Sequence, residues 1–357
     1  MKNIIKIFTL ALFSFLVNLS SCSRPIPAQT EFVLGTICNV NLFEGGPQKR
    51  YAEIFARLRE IEDVMSANRT GTDLDRINQN AGLAPVKVDP ELIAVLERAL
   101  AFAEASDGAF DPTVGPLVKL WGIGSDNARV PAQDEIDSAL ALIDWRDLVI
   151  DREQGTAFLR RPGMALDLGA IAKGYAADEA VRLAEKNKVK RALIDLGGNI
   201  FAHGARRGGN GLRASRKSAT GGNAPWRIGI QDPRDNRGAY IGVLQAVNKS
   251  IVTSGIYERF FVDLDGNHYH HLLSTRDGYP VNNGLLSVTI IADHSIDADG
   301  LSTSTFALGY EKGRALVESV PGADALFIFE DLSVRLTPGA ATAFTLSNSE
   351  YHLTDAD

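Results

Sequence analysis

Residues 167–203 read DLGAIAKGYAADEAVRLAEKNKVKRALIDLGGNIFAH. Small residues open this stretch, and a helical stripe carrying Ile171, Tyr175 and Ala176 runs to the charged segment Glu185 to Lys190. A strand-like segment, Arg191 to Asp195, follows at once, and another ends near His203. Two more, Trp226 to Gln231 and Tyr240 to Val247, come next. Outside this region, residues 48–65 place Tyr51, Ile54, Phe55, Leu58, Ile61, Val64 and Met65 on one helical stripe. Residues 90–105 do the same with Leu92, Val95, Leu96, Ala99 and Phe102. Glu31 to Phe43, Leu286 to Ile291 and Ala325 to Phe329 read as strands. Helices and strands mingle without strict alternation, which favours an α+β fold over a doubly wound parallel sheet.

The chain has 357 residues, 45% hydrophobic and 23% charged, enough to bury a substantial core. That balance excludes a disordered chain, a collagen and a multi-span membrane protein. A net charge of −7 gives nucleic acid no basic surface to bind. Two cysteines, Cys22 and Cys38, support neither a disulfide framework nor a Cys-rich zinc site. Met1 to Ser21 begins with Lys2 and Lys6 and continues in an apolar run too short to span a bilayer comfortably, the pattern of a secretory signal. It ends Leu19-Ser20-Ser21-Cys22, which resembles the lipobox of bacterial lipoproteins, with Cys22 as the lipidated residue; the alternative is an ordinary cleaved signal. Residues 22–30 then form a tether and residues 31–357 the functional domain, with 204–223, rich in Gly, Arg, Ser and Asn, as an inserted loop. Cys38, in an apolar run, reads as a buried structural thiol.

Four polar clusters interrupt the scaffold. Asp107 to Pro116 (DGAFDPTVGP) is dense in turn residues and carries two carboxylates; it suits either close approach to a ligand or a helix-ending loop with a buried Asp cap. Asp167 to Gly174 opens a helix whose free N–H groups suit an anion, with Lys173 a turn in, or it is a simple helix start. Thr253 to Arg259 is followed by His268-Tyr269-His270-His271, where one histidine serves as a general base more readily than the set holds a metal. Ala298 to Thr303 (ADGLST) puts Asp299 and Thr303 four apart, able to hold Mg²⁺ through oxygen, or Asp299 is an N-cap.

In order and spacing these pieces resemble the ApbE family of FAD:protein FMN transferases. The resemblance runs from Phe32-Val33-Leu34-Gly35-Thr36 to Gly309 and includes Asp73 to Asn78, Gly108 to Leu117, Asp167 to Asp178, Asp195 to Asn199, Trp226 to Pro233, Thr253 to Tyr257 and Ala298 to Gly309. It implies a mixed, largely antiparallel α+β body whose two lobes enclose an FAD cleft. It implies Mg²⁺-dependent transfer of FMN from FAD to a Thr or Ser hydroxyl of an acceptor protein, with release of AMP. The resemblance places FAD contacts on Leu34, Asn68, Ala109, Phe110, Asp111, Asp167, Lys173 and Leu272. Mg²⁺ falls on Asp299, Thr303 and the carbonyl of Ala170, and the base on His271. The expected acceptor is a subunit of a membrane redox complex, met on the periplasmic side of a membrane to which Cys22 anchors the chain.

The chain departs from the family pattern at three points. Leu34 stands where the family often has Met, and Leu272-Leu273-Ser274-Thr275 where Asp-Pro often follows the histidine-led strand. Asn68 stands where an aromatic commonly flanks the flavin, and an asparagine offers no stacking face. Rival readings are therefore an FAD pyrophosphatase, with water replacing the acceptor hydroxyl, and a lipoprotein that binds FAD without turnover.

Overall fold

A computed structural model describes residues 27–43, 48–207, 223–235 and 238–354. The signal-like segment Met1 to Ser21, Cys22, tether residues 23–26 and inserted-loop residues 208–222 lie outside these.

Glu31 to Phe43, expected as one strand, is a hairpin of Gln29–Val33 and Thr36–Leu42. The two residues between them, Leu34 and Gly35, have φ of 57° and 66°, the pair of left-handed residues that a tight type I′ connection needs. Leucine is not a residue that signals such a turn, so the break is invisible in the hydrophobic pattern.

The hairpin is one edge of a sheet that, among the described residues, has nine strands. Their order is Gln29–Val33, Thr36–Leu42, Ala192–Leu196, Asn199–His203, Lys249–Gly255, Leu285–Ala292, Asp324–Phe329, Ser333–Leu336 and His352–Leu353. Only the last pairing is parallel. The fold is thus α+β with largely antiparallel sheets. Lys249–Gly255 is a central strand that the sequence reading did not identify.

Both faces of this sheet are covered. Helices Lys49–Met65, Pro90–Ala105, Ala172–Lys186 and Ser295–Leu308 build the larger core on one side, with Phe55, Leu96, Ala180 and Leu301 meeting Val40, Ile194, Val288 and Phe327. On the other, Trp226–Gln231, Tyr240–Ala246 and Phe344–Leu346 form a three-stranded sheet that buries Ile228, Ile230 and Leu244 against Ile251, Ile291 and Leu326. Coverage on both faces makes every residue of Leu285–Ala292 buried, the polar Ser287 and Thr289 included. Cys38 is fully buried in the first core, and burial pushes its thiol up to about 12, in keeping with a structural role.

Ser295–Leu308 is the helix that positions the chemistry. It is buried on almost every side, with Ala298, Asp299, Gly300, Leu301, Ser302, Ser304, Thr305 and Phe306 all inside. Small residues allow this: a Cβ on Gly300 would stand 2.4 Å from the Phe102 ring of the neighbouring helix. The helix begins at Ser295, so Asp299 lies in its second turn and is no N-cap. Asp178 caps it instead, accepting from Ser295 N (2.7 Å) and Ile296 N (2.9 Å).

Candidate active site

The cluster at 167–174 and the cluster at 298–303 are 125 residues apart in the chain, measured from Gly174 to Asp299, yet form one unit. Asp167 Oδ1 accepts from Gly169 N at 2.7 Å, and Lys173 Nζ donates to Gly169 O at 2.8 Å, closing a tight turn around Ala170. Helix Ala172–Lys186 then starts, and Gly174 N donates to Asp299 Oδ2 at 2.8 Å. Only glycine fits there: an added Cβ would lie 2.4 Å from Ser295 O and 2.7 Å from Asp299 Cβ. Gly174 brings the two helices close enough for a backbone N–H to reach the carboxylate.

Asp299 is 4% exposed. Burial raises its pKa, opposed by the charge of Lys173 and by the N–H of Gly174. Asn199 faces it closely enough to favour the ionised form, although Asn199 Nδ2 makes no hydrogen bond of ordinary length. Thr303 is half-buried one turn further on, and Ala170 is half-buried in the preceding turn. A buried carboxylate with spare acceptor capacity, a hydroxyl and a carbonyl form an oxygen donor set, which fits a hard cation such as Mg²⁺. Among the described residues, no group of three or more His, Cys, Asp and Glu side chains could hold a metal, so the histidine run offers no alternative centre.

His271 follows the short strand His268–His270. Its backbone N donates to Arg259 O at 3.0 Å, and its Nδ1 lies 3.3 Å from the same carbonyl. A carbonyl only accepts, so Nδ1 carries the hydrogen and Nε2 is the basic nitrogen. Burial and the charge of Arg259 push its pKa down to about 3, which holds the ring neutral. His270 faces elsewhere: its Nε2 is 3.1 Å from Val281 O, and its Nδ1 accepts from Leu272 N. Leu272 is buried and pairs through its carbonyl with Val281 N at 2.8 Å.

The loop at 107–116 joins this region from the other side. Thr275 Oγ1, in the segment that departs from the family pattern, donates to Gly108 O at 2.7 Å. Phe110 is buried against Phe102, ring centroids 5.9 Å apart, and Phe102 also packs over Gly300. Ala109 is half-buried beside it. Asp111 is occupied internally: Oδ1 accepts from Thr113 N (2.8 Å) and Thr113 Oγ1 (2.7 Å), and Oδ2 from Trp145 N (3.0 Å). Its carboxylate therefore matches the buried-cap alternative, whereas the backbone that it fixes remains beside Phe110.

Leu34 and Asn68 belong to neighbouring turns linked by one side chain. Glu62 accepts from Gly35 N (3.2 Å) and from Arg69 Nη1 (3.1 Å). Leu34 packs at the edge of the main core, whereas Asn68 is exposed, its backbone N held by Ser66 Oγ at 3.2 Å. Gly174, Asp178, Asn199 and Arg259 stand in the sequence motifs without an assigned role and Glu62 lies outside them, because each acts through backbone contact or through a partner remote in the chain.

A second space opens beside His271. A cleft of about 1430 Å³ runs between the main sheet, the strand Trp226–Gln231 and the hairpin Phe260–Val262/His268–His270. None of the residues on which the resemblance places FAD or Mg²⁺ lines it.

Comparison with known proteins identifies the family. The family model described as the ApbE family matches residues 34–327. A Treponema pallidum protein named FAD:protein FMN transferase is 44% identical over 321 residues, covering 87% of each chain. A Klebsiella pneumoniae protein of the same name is 36% identical, covering 85% of this chain and 90% of its own. Among solved structures, the ApbE protein of Thermotoga maritima superimposes with a TM-score of 0.77 at 32% identity, covering 88% of this chain and 98% of that one. The flavin transferase ApbE of Vibrio cholerae gives 0.73 at 27% identity, covering 91% and 97%.

Proposed function

Since the chain belongs to the ApbE family, we propose that it transfers FMN from FAD to a Thr or Ser hydroxyl of an acceptor protein. The observation that supports this most directly is the lock between Gly174 and Asp299, which packs the turn carrying Ala170 and Lys173 against the helix carrying Asp299 and Thr303. Splitting the pyrophosphate of FAD demands charge stabilisation at the phosphates and an oriented nucleophile. Lys173 supplies positive charge. Asp299, Thr303 and the Ala170 carbonyl would hold Mg²⁺, which when bound neutralises phosphate charge. Leu34, Ala109, Phe110, Asp167 and Leu272 would contact the dinucleotide, and Asp111 keeps the Ala109–Phe110 backbone in place through its own hydrogen bonds.

The reaction balances simply. The acceptor hydroxyl oxygen attacks the FMN-side phosphorus, and its proton passes to His271 Nε2. The bridging P–O bond breaks, and AMP departs with that electron pair. The neutral ring of His271 is ready to accept; neighbouring phosphate charge would raise its basicity in the complex.

A second reading, net hydrolysis of FAD to FMN and AMP, is favoured by the exposed Asn68, which leaves the flavin without an aromatic face at that position. Residues 1–21 as a lipoprotein signal, Cys22 as the anchor, 22–30 as a tether and 31–357 as a single catalytic domain complete the proposal. They put the enzyme on the periplasmic side of a membrane, within reach of a redox-complex subunit.

The test pairs two variants. His271→Ala should cripple transfer while leaving most FAD affinity, and Asp299→Ala should remove Mg²⁺-dependent turnover. Unchanged turnover in Asp299→Ala would refute the metal assignment, and loss of FAD binding in His271→Ala would refute the base assignment.

A further inference from the structure

The cleft beside His271 has no task in the scheme above. It is larger than the few hundred to about 1,000 Å³ typical of small-molecule sites. It is nevertheless built with care. Its floor is the main sheet at Ile200, Ile251 and Thr253, and one wall carries Ile228 and Ile230. The rim at Gln231–Asp235 is held from below by Asp232, a buried carboxylate that accepts from Tyr351 Oη (2.5 Å), Arg234 N (3.0 Å) and Asn348 Nδ2 (3.2 Å). Burying that carboxylate costs folding free energy unless fully bonded, and no FAD or Mg²⁺ contact needs it. It accounts for the Trp226–Pro233 motif as a rigid edge to the cleft.

The opposite wall ends one residue short of the base. His268, Tyr269 and His270 line the cleft, and the next residue is His271; Glu258 lines it too, and the next residue, Arg259, gives the carbonyl that fixes the His271 ring. Among the described residues, Phe260–Val262 and His268–His270 pair only with each other, so the outer edge of each has no strand partner there. Phe260 and Val262, on one face of that strand, are 46% and 53% exposed, an unusual display for such side chains beside a cleft. A strand edge flanked by apolar side chains and a groove of mixed polarity is how proteins hold an extended peptide.

We infer that this cleft seats an extended segment of the acceptor polypeptide and delivers its Thr or Ser hydroxyl to His271 from the side opposite the FAD contacts. The inference rests on the transferase reading. It adds that the nucleophile and the dinucleotide enter through separate spaces, so acceptor affinity and FAD affinity are separable by mutation.

The experiment uses the mature protein in detergent, FAD, Mg²⁺ and a library of short peptides, each with one central threonine; the best-labelled peptide becomes the acceptor. Phe260→Asp, at an exposed position, should raise the KM for that peptide about tenfold or more, with the FAD dissociation constant unchanged. A photocrosslinking residue at position 260 should capture the peptide, and excess unlabelled peptide should compete. An unchanged peptide KM together with crosslinks elsewhere would overturn the inference, as would a fall in FAD affinity with peptide KM unmoved, which would give the cleft to FAD. If the wild-type protein labels no peptide while splitting FAD, the transferase reading fails along with the inference, a result distinct from failure of the cleft alone.

Discussion

Two buried aspartates in two dense motifs have opposite circumstances. Asp111 receives three hydrogen bonds from Thr113 and Trp145, so its charge is spent on holding a loop. Asp299 receives one, from Gly174, and faces Lys173 and the unpartnered Nδ2 side of Asn199. Burial raises the pKa of both. The difference lies in what remains available: a saturated carboxylate is architecture, and an unsaturated one beside a cation is equipped for chemistry.

The same substitution at both sites breaks or supports this contrast most sharply. Asp299→Asn keeps the volume and the acceptor for Gly174, so melting temperature should hold while Mg²⁺-dependent transfer falls about 10²–10³-fold. Asp111→Asn turns an amide toward backbone donors and should cost about 1–3 kcal/mol of stability. Its effect on transfer, assayed well below its melting temperature, should stay small. A thermally intact but inactive Asp111→Asn protein would reverse the assignment.

Gly174→Ala probes the link itself. Overpacking of this kind costs about 1–3 kcal/mol, and here it must also push the Asp299 helix away. Mg²⁺ affinity should drop with stability; a variant as stable and as active as the parent would show that the close approach is dispensable.

His271 extends the contrast to pH. Its lowered pKa, about 3, means the reactive neutral form persists as the medium is acidified. The acid limb of kcat/KM should therefore lie well below the ordinary histidine value of about 6.5, leaving the profile flat from about pH 8 to 5.5. The stability contributed by keeping this ring neutral is complete above about pH 6.5 and is lost as pH falls toward 3. A limb near 6.5 that persists after His271 is exchanged would give the proton to another group.

The smallest expected effect is at Asn68. Asn68→Tyr restores a stacking face worth about 0.5–1.5 kcal/mol, tightening FAD by roughly two- to tenfold, measurable by flavin fluorescence quenching. No change would indicate that the flavin ring does not reach this exposed turn.

What the sequence made legible follows the same division. The stripes of Lys49–Met65 and Pro90–Ala105 are read directly, because each buries one face: Ile54, Leu58 and Ile61 in the first, Leu92, Leu96 and Phe102 in the second. The dense motifs at 107–116, 167–174 and 298–303 were visible as motifs, since Gly, Pro and carboxylates cluster there. The turn at Leu34-Gly35 was hidden because a leucine takes the left-handed conformation, held by the strands on either side. The buried start of Ser295–Leu308 was hidden because a helix enclosed on all sides shows no apolar stripe. The cap by Asp178, the Glu62 link and the cleft join residues distant in the chain, and no local pattern reports such contacts.

The central claim is transfer to a hydroxyl, and mass spectrometry of one incubation tests it directly. The purified protein is mixed with FAD, Mg²⁺ and an acceptor polypeptide containing Thr or Ser. The account predicts acceptor carrying one FMN on that hydroxyl, with an equal amount of AMP; FMN appearing only free in solution alongside AMP, with the acceptor unmodified, would contradict it.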